Sequence, residues 1–414
     1  MKFLLLCTVF PPEPAPAGVN IAELAEDLAA AGHQVTVITG WPSHPGGKLY
    51  PGWRSAFRGV ERTPQGYCLT RCGHSFCSRS SILAKVWYYF TWAISSFING
   101  LRAGRADVVL FCSSPVFVGL TSLLLARLKR ARSVYWIHDI HPEATRNAGI
   151  IRAGTLCYRM CLALDRFVCR RSTLVATLTE TMRQTLLARG LDANRVVLLP
   201  HWVDAQKISP RSRDNPWRQR HGIGLEQFVV LHAGTMGFIS GAGVILDAAR
   251  MLRERRDLLF LFVGGGALKE QLERQARDTA LDNVRFLPFQ PAEELADVQA
   301  TGDVGLVTLL PDTGETSIPS KLHGYTSAAR PVIASLASDT PVARMVEEGR
   351  FGIVCPSQDA AALAQAITRL ADQRELAQQM GQHARDFFLA TFDRVNGTQR
   401  AIEMLTTLAN THVR

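Results

Sequence analysis

Lys321 stands just after a Thr/Ser/Pro turn, at the opening of a short helical stretch that ends in Arg330-Pro331 and a small apolar strand, residues 332–335. A helix start offers unpaired N–H groups and partial positive charge. A lysine beside it adds a full charge, and together they suit a phosphate. Ser320 belongs to the same helix start. Gly18 opens the first helix after a proline-rich turn, and Gly234 and Gly237 bracket Thr235 in a turn after a strand. Bare backbone at such positions can approach a phosphate closely. The plainer readings are a surface lysine and ordinary loop glycines.

These residues need a scaffold, and the apolar pattern describes one. In the first half, strand-like runs at 2–9, 34–39, 107–112, 133–138, 173–178 and 195–199 alternate with helical stretches at 18–31, 82–101, 116–129, 154–171 and 179–189. In the second half, strands are expected at 228–232, 258–263, 284–287, 304–308, 332–335 and 351–354. Helices are expected there near 241–254, 267–278, 292–300, 320–328, 340–347 and 359–371, with a helical tail over 375–409. Strict alternation of this kind predicts an α/β chain of two doubly wound, Rossmann-like domains. The stretch 202–224, with Pro210, Pro216 and several arginines, reads as a linker with a short helix leading into the second domain. The expected division is 1–203, 204–380 and a C-terminal helix over 381–414. Ligands in open parallel sheets sit beyond the carboxyl ends of the strands, so a cleft between the two sheets is the expected site.

Bulk properties narrow the classes. A chain of 414 residues is too long for one ordinary core, and 47% apolar with 20% charged residues excludes a mainly disordered protein. The net charge of +10, from 46 basic and 36 acidic residues, suits anionic partners. The arginine-rich patches at 127–132 and 211–220 carry no recognised nucleic-acid module, so no nucleic-acid partner is expected. Nine cysteines, scattered and odd in number, read as reduced thiols. Cys68, Cys72, His74 and Cys77 lack the spacing of two Cys-x2-Cys arms, and no metal is expected there. The opening apolar run is too short for a signal peptide and fits a buried first strand. Residues 82–101 are long enough to cross a bilayer, but Lys85, Thr91, Ser95, Ser96 and Asn99 dilute the run. Arg79, Arg102 and Arg105 flank it, which favours docking on an anionic surface or ordinary packing over a true span, the third open reading.

The Pro319-Ser320-Lys321-Leu322 run resembles the donor-site segment of glycosyltransferase family 4, in particular the branch that builds exopolysaccharide, O-antigen and colanic acid. The resemblance extends through Phe10-Pro11-Pro12-Glu13, Ala17-Gly18, His138-Asp139-Ile140-His141-Pro142-Glu143 and Leu199-Pro200-His201-Trp202-Val203-Asp204. It continues in His232-Ala233-Gly234-Thr235-Met236-Gly237, Phe262-Val263-Gly264-Gly265-Gly266 and Asn283 to Pro288. It implies the glycosyltransferase B architecture, with the last helix crossing back to the first domain. It also implies that His138 and Asp139 face the donor sugar and that Glu143 orients the acceptor or takes its proton. A core histidine is the competing reading of His138. The loop over 283–289 would meet the base largely through main chain, and Ser113-Ser114-Pro115 could line the acceptor side. The wider family has an Arg and a Lys where this chain has Thr235 and Ser240, and two glutamates where it has Thr316 and Gly324. Glu315 lies one residue from the first of those carboxylates and could replace it, while Lys321 could take over the phosphate.

The resemblance implies a retaining, metal-independent transferase with no cofactor beyond its UDP- or GDP-sugar donor. The expected acceptor is a saccharide on polyprenyl diphosphate. The expected place is the cytoplasm, with docking on the inner face of the membrane. A nucleotide-sugar 2-epimerase of the same fold, or a non-catalytic scaffold of a polysaccharide assembly complex, would account for the same motifs.

Overall fold

The computed structural model describes residues 1–13, 15–44, 47–76, 82–113, 116–147, 151–311 and 318–411. The chain divides into two compact units, Met1–Trp202 with Gly397–Arg414, and Val203–Asn396.

The first unit holds strands β1 (Lys2–Leu6), β2 (Gln34–Gly40), β3 (Arg58–Arg62), β4 (Cys68–Cys72), β5 (Val108–Cys112), β6 (Arg132–Ile137), β7 (Leu174–Thr177) and β8 (Val196–Leu198). They form one sheet in the order β3-β4-β2-β1-β5-β6-β7-β8. Every pairing is parallel except β3 with β4. β1 is the apolar run mistakable for a leader; both its faces are covered, which explains its unbroken leucines. Its helices are α1 (Pro16–Ala30), α2 (Ile82–Arg102), α3 (Val116–Leu128), α4 (Glu143–Asn147), α5 (Leu156–Arg171) and α6 (Glu180–Ala188). Thr155 and Thr179 cap α5 and α6 by accepting from Tyr158 N and Met182 N.

The second unit holds β9 (Phe228–Ala233), β10 (Leu258–Val263), β11 (Val284–Leu287), β12 (Val304–Thr308), β13 (Val332–Ser335) and β14 (Gly352–Cys355), an all-parallel sheet in the order β11-β10-β9-β12-β13-β14. Its helices are α7 (Pro216–Arg220), α8 (Gly243–Met251), α9 (Lys269–Asp278), α10 (Leu295–Thr301), α11 (Ser320–Ser327), α12 (Pro341–Glu348), α13 (Ala360–Asp372) and α14 (Arg374–Thr391). The last helix, α15 (Arg394–Asn410), puts Ala401 and Leu405 into the core of the first unit beside Leu24 and Trp202. A Cβ at Gly397 would sit 2.7 Å from Trp202, so only glycine lets α15 approach that closely.

The helical tail is therefore two helices with different allegiances. α14 buries Ala377 and Ala384 in the second unit's cores. Asp393 then breaks the run, bridging to Val203 and accepting from Ala205 N at 3.2 Å. The return to the first unit comes at 397, later than 381. The β3–β4 hairpin is the other feature the sequence pattern did not announce. β3 is largely exposed and polar, and β4 reads Cys-Leu-Thr-Arg-Cys, with no apolar alternation to mark it. Within it, burial pushes the Cys72 thiol up to about 12. The His74 ring meets the carbonyls of Trp41 (3.0 Å) and Ser75 (3.2 Å), and Cys77 lies outside the described residues. No helix among the described residues is long and apolar enough to cross a membrane.

Candidate active site

In the second unit, β9 and α11 bring the phosphate candidates together. Tyr325 on α11 accepts from Ala233 N at 2.8 Å and donates to Leu231 O at 3.2 Å, fixing the helix against the end of β9. Its ring lies over Gly305 of β12, where a Cβ would come within 2.3 Å of the ring. This contact sets Lys321 opposite the first glycine turn. The Lys321 ammonium donates to His232 Nε2 at 2.7 Å, and a Cβ on Gly234 would be 3.9 Å from Lys321 Cε. No carboxylate pairs with Lys321 among the described residues. Burial holds its pKa down at about 8. Burial, and after it the Lys321 charge, keep His232 neutral, well below the usual imidazole range. The His232 ring therefore accepts from the ammonium without neutralising it, and its Nδ1 has no partner among the described residues.

Two crossing turns complete this site. Gly234 N donates to Val263 O (2.8 Å) and Met236 N to Gly265 O (2.7 Å). Gly264, at φ 147°, would place a Cβ 2.0 Å from Gly234 O, so the two turns touch backbone to backbone. Thr235 is exposed and Gly237 continues the same turn into a short 3₁₀ segment, Phe238–Ser240. Ser320 is exposed at the first turn of α11, whose N-cap, Pro319, has no side-chain acceptor to offer. Glu315 and Thr316 lie outside the described residues. Ser240 is turned inward, its hydroxyl donating to Gly237 O at 2.6 Å. A Cβ at Gly324 would meet the Gln299 amide at 2.9 Å, so α10 occupies the room a longer side chain would need. The loop over 283–289 ends with Phe289, an exposed ring against Gly265.

In the first unit, β6 delivers His138 and Asp139. Their N–H groups donate to Ser113 Oγ at 2.9 and 3.4 Å, so Ser113 holds the turn; Ser114 and Pro115 lie outside the described residues. His138 Nδ1 is 2.5 Å from His201 Nε2, and the ring packs 4.8 Å from Trp136. Burial holds the His138 pKa at about 3, and its Nε2 has no partner among the described residues. Asp139 is exposed. Glu143 is not free to serve as a base: Arg189 holds it at 2.5 Å and also binds Asp165 at 2.9 Å and His141 O at 3.1 Å. The carboxylate anchors α4 to α5 and α6. Gly18 has a packing reason as well, since a Cβ there would lie 2.6 Å from Val9 O. The Val9–Glu13 turn is itself clamped. Buried Glu13 accepts from Phe10 N (3.0 Å), Ser43 N (2.8 Å) and His44 N (2.7 Å). His201, His232, Arg189 and the Glu13 clamp carry much of this geometry, and only their place in the quoted motifs marked any of them.

Two family models match the chain, one described as a glycosyl transferase 4-like domain over residues 17–202 and one as glycosyl transferases group 1 over 227–373. The chain belongs to glycosyltransferase family 4. It is 25% identical over 405 residues, 96% of this chain and 97% of the relative, to the putative colanic acid biosynthesis glycosyl transferase WcaI of Escherichia coli K12. The fold is similar to that of sucrose-phosphate synthase from Thermosynechococcus elongatus, with TM-score 0.76 and 17% identity over 99% of both chains. It is also similar to Anabaena HepE solved with UDP and glucose, with TM-score 0.69 and 16% identity over 98% of this chain and 100% of that one. For this glycosyltransferase, the likeness to solved structures speaks for the glycosyltransferase B fold alone.

Proposed function

We propose that the protein moves a sugar from a UDP- or GDP-sugar to a saccharide carried on a polyprenyl diphosphate, in the assembly of a bacterial surface polysaccharide. One observation carries this reading. A desolvated ammonium, Lys321, sits at a helix start beside two glycine turns with a neutral histidine as its partner, an arrangement completed by an anion. The diphosphate of the donor is that anion. Phe289 offers a ring face for the base. The name of the colanic acid relative supports the pathway, and the UDP in the HepE structure supports the donor class.

The bond between the anomeric carbon and the β-phosphate oxygen breaks, and a bond from the acceptor oxygen forms on the same face. The acceptor proton passes to the departing phosphate oxygen, whose charge Lys321 and the α11 N–H groups stabilise. With Glu143 committed to Arg189, a neutral His138 Nε2 remains to hydrogen-bond the sugar. No step calls for a metal.

The inner membrane surface is the proposed place of work. α2 is apolar on both sides: it buries Tyr88, Trp92 and Ala93 together with Ser95, Ser96 and Asn99, yet Leu83, Val86, Trp87, Phe90 and Ile94 are exposed. α3 and α5 add exposed Leu124, Leu128, Met160 and Phe167 among arginines. An apolar stripe with basic neighbours suits an anionic bilayer surface. The test is transfer of label from UDP- and GDP-sugars to lipid-linked acceptors in EDTA. Labelled lipid-linked product is expected. Consumption of the donor without acceptor would point to the epimerase, and no turnover by folded protein to the scaffold.

A further inference from the structure

The second unit contains a cavity of about 190 Å³ at the opposite end of its sheet from Lys321. Arg213, Arg330, Arg374, Asp303, Phe228 and Gln378 line it. Phe228 opens β9, Asp303 precedes β12 and Arg330 precedes β13, whereas Lys321 faces the far end of β9. At ~3.3 Å per residue, β9 separates the two places by roughly 17 Å.

Positive charge in this cavity is under-compensated. Asp303 Oδ2 is shared: Arg213 Nη2 donates to it at 2.9 Å, Val229 N at 2.8 Å, and buried Arg218 stands behind at 3.9 Å. Arg330 and Arg374 have no carboxylate partner among the described residues. Among the other nearby acids, Arg255 binds both Asp257 and Asp372 at 2.8 Å, Asp257 acts on Arg374 only at longer range, and Glu226 acts on Arg218. The guanidiniums also keep unused donors. Arg330 Nη2 donates to Arg211 O at 2.8 Å and Arg213 Nη2 to Gln227 O at 2.7 Å, yet the Nε–H of each is buried without a partner. Arg374 lies over the Phe228 ring at 5.2 Å, which holds its guanidinium at the mouth. Three guanidiniums around one open space, with the single carboxylate of Asp303 shared among them, call for an acceptor that carries charge.

We propose that this cavity binds a small, multiply charged oxyanion of the phosphate class, at a site separate from that of the donor diphosphate. Planar guanidiniums match such oxyanions with paired N–H···O bonds, and Arg213, Arg330 and Arg374 present three around one opening. The recessed volume favours a free ion or phosphate monoester over a lipid headgroup.

The test is calorimetric titration of the full chain with inorganic pyrophosphate in a Lys321→Gln background, which removes the donor-phosphate site from the reading. One saturable site should remain. Arg374→Gln and Arg330→Gln should each weaken it at least tenfold, and added salt should weaken it further. Arg374 is exposed, so its variant decides the matter even if Arg330→Gln fails to fold. Absence of saturable binding in the Lys321→Gln protein, or binding indifferent to Arg374→Gln, would overturn the proposal. So would Arg374-dependent retention on phosphatidylglycerol vesicles without pyrophosphate binding, which would assign the arginines to a lipid surface.

Discussion

Each unit places a histidine at the carboxyl end of a strand, but the two treat charge in opposite ways. In the first, the buried charges near His138 are paired inside the protein, with Arg189 joining Glu143 to Asp165, while Asp139 is exposed and His138 shares a short contact with His201. In the second, Lys321 keeps its charge beside a neutral ring. The His138 ring is a neutral hydrogen-bonding group, whereas Lys321 presents a cation.

The comparison can be broken at its strongest point first. Arg189→Met leaves two carboxylates without their cation, and the first unit should lose about 3–5 kcal/mol. A calorimetric melt should show the loss with UDP affinity of the surviving folded protein unchanged. A melt indistinguishable from wild type would mean that the ion pair does not anchor α4. Lys321→Gln removes a charge that burial opposes, so the melt of the free protein should not fall, but kcat/KM should drop about 10²–10³-fold, the usual scale for removing a group that stabilises developing charge. His201→Ala frees the His138 ring to reorient, and should lower kcat about tenfold with KM for the donor held, since the diphosphate does not depend on it.

A finer test uses pH. The folded Lys321 has its pKa lowered from 10.5 to about 8, so burial opposes its charged form. The unfolded chain then holds more protons between those values, and the stability of the free protein should rise as pH climbs through that window. A bound diphosphate favours the charged form, so nucleotide affinity should fall as pH rises past about 8. Titration at pH 8 in buffers of different ionisation enthalpy should show proton uptake on binding, absent in Lys321→Gln. Smallest of all, Trp87→Ser with Phe90→Ser should reduce flotation with anionic vesicles while leaving UDP binding alone.

The elements that bury continuous apolar runs were legible: β1, β5, β9 and β10 stand where the sequence pattern places them, and so does α11 behind Lys321. What the sequence concealed depends on long-range partners. Glu143 reads as a base until Arg189, far along the chain, is seen to hold it. Gly18 reads as a phosphate glycine, and folding adds a packing reason that the sequence hides, since Val9 O lies where its Cβ would be. Arg213 and Arg330 look like a linker arginine and a turn arginine, and only folding around Asp303 makes them neighbours. The β3–β4 hairpin was missed for a different reason: half of it faces water, so no apolar rhythm announces it.

The most direct test of the contrast is equilibrium binding of UDP, GDP and ADP in EDTA to the wild-type chain and to Lys321→Gln. Saturable binding of one nucleotide, weakened at least a hundredfold in the variant, is the predicted result. Binding that survives the substitution unchanged, or no binding by folded wild-type protein, would contradict the account of Lys321 as the charge that receives the donor.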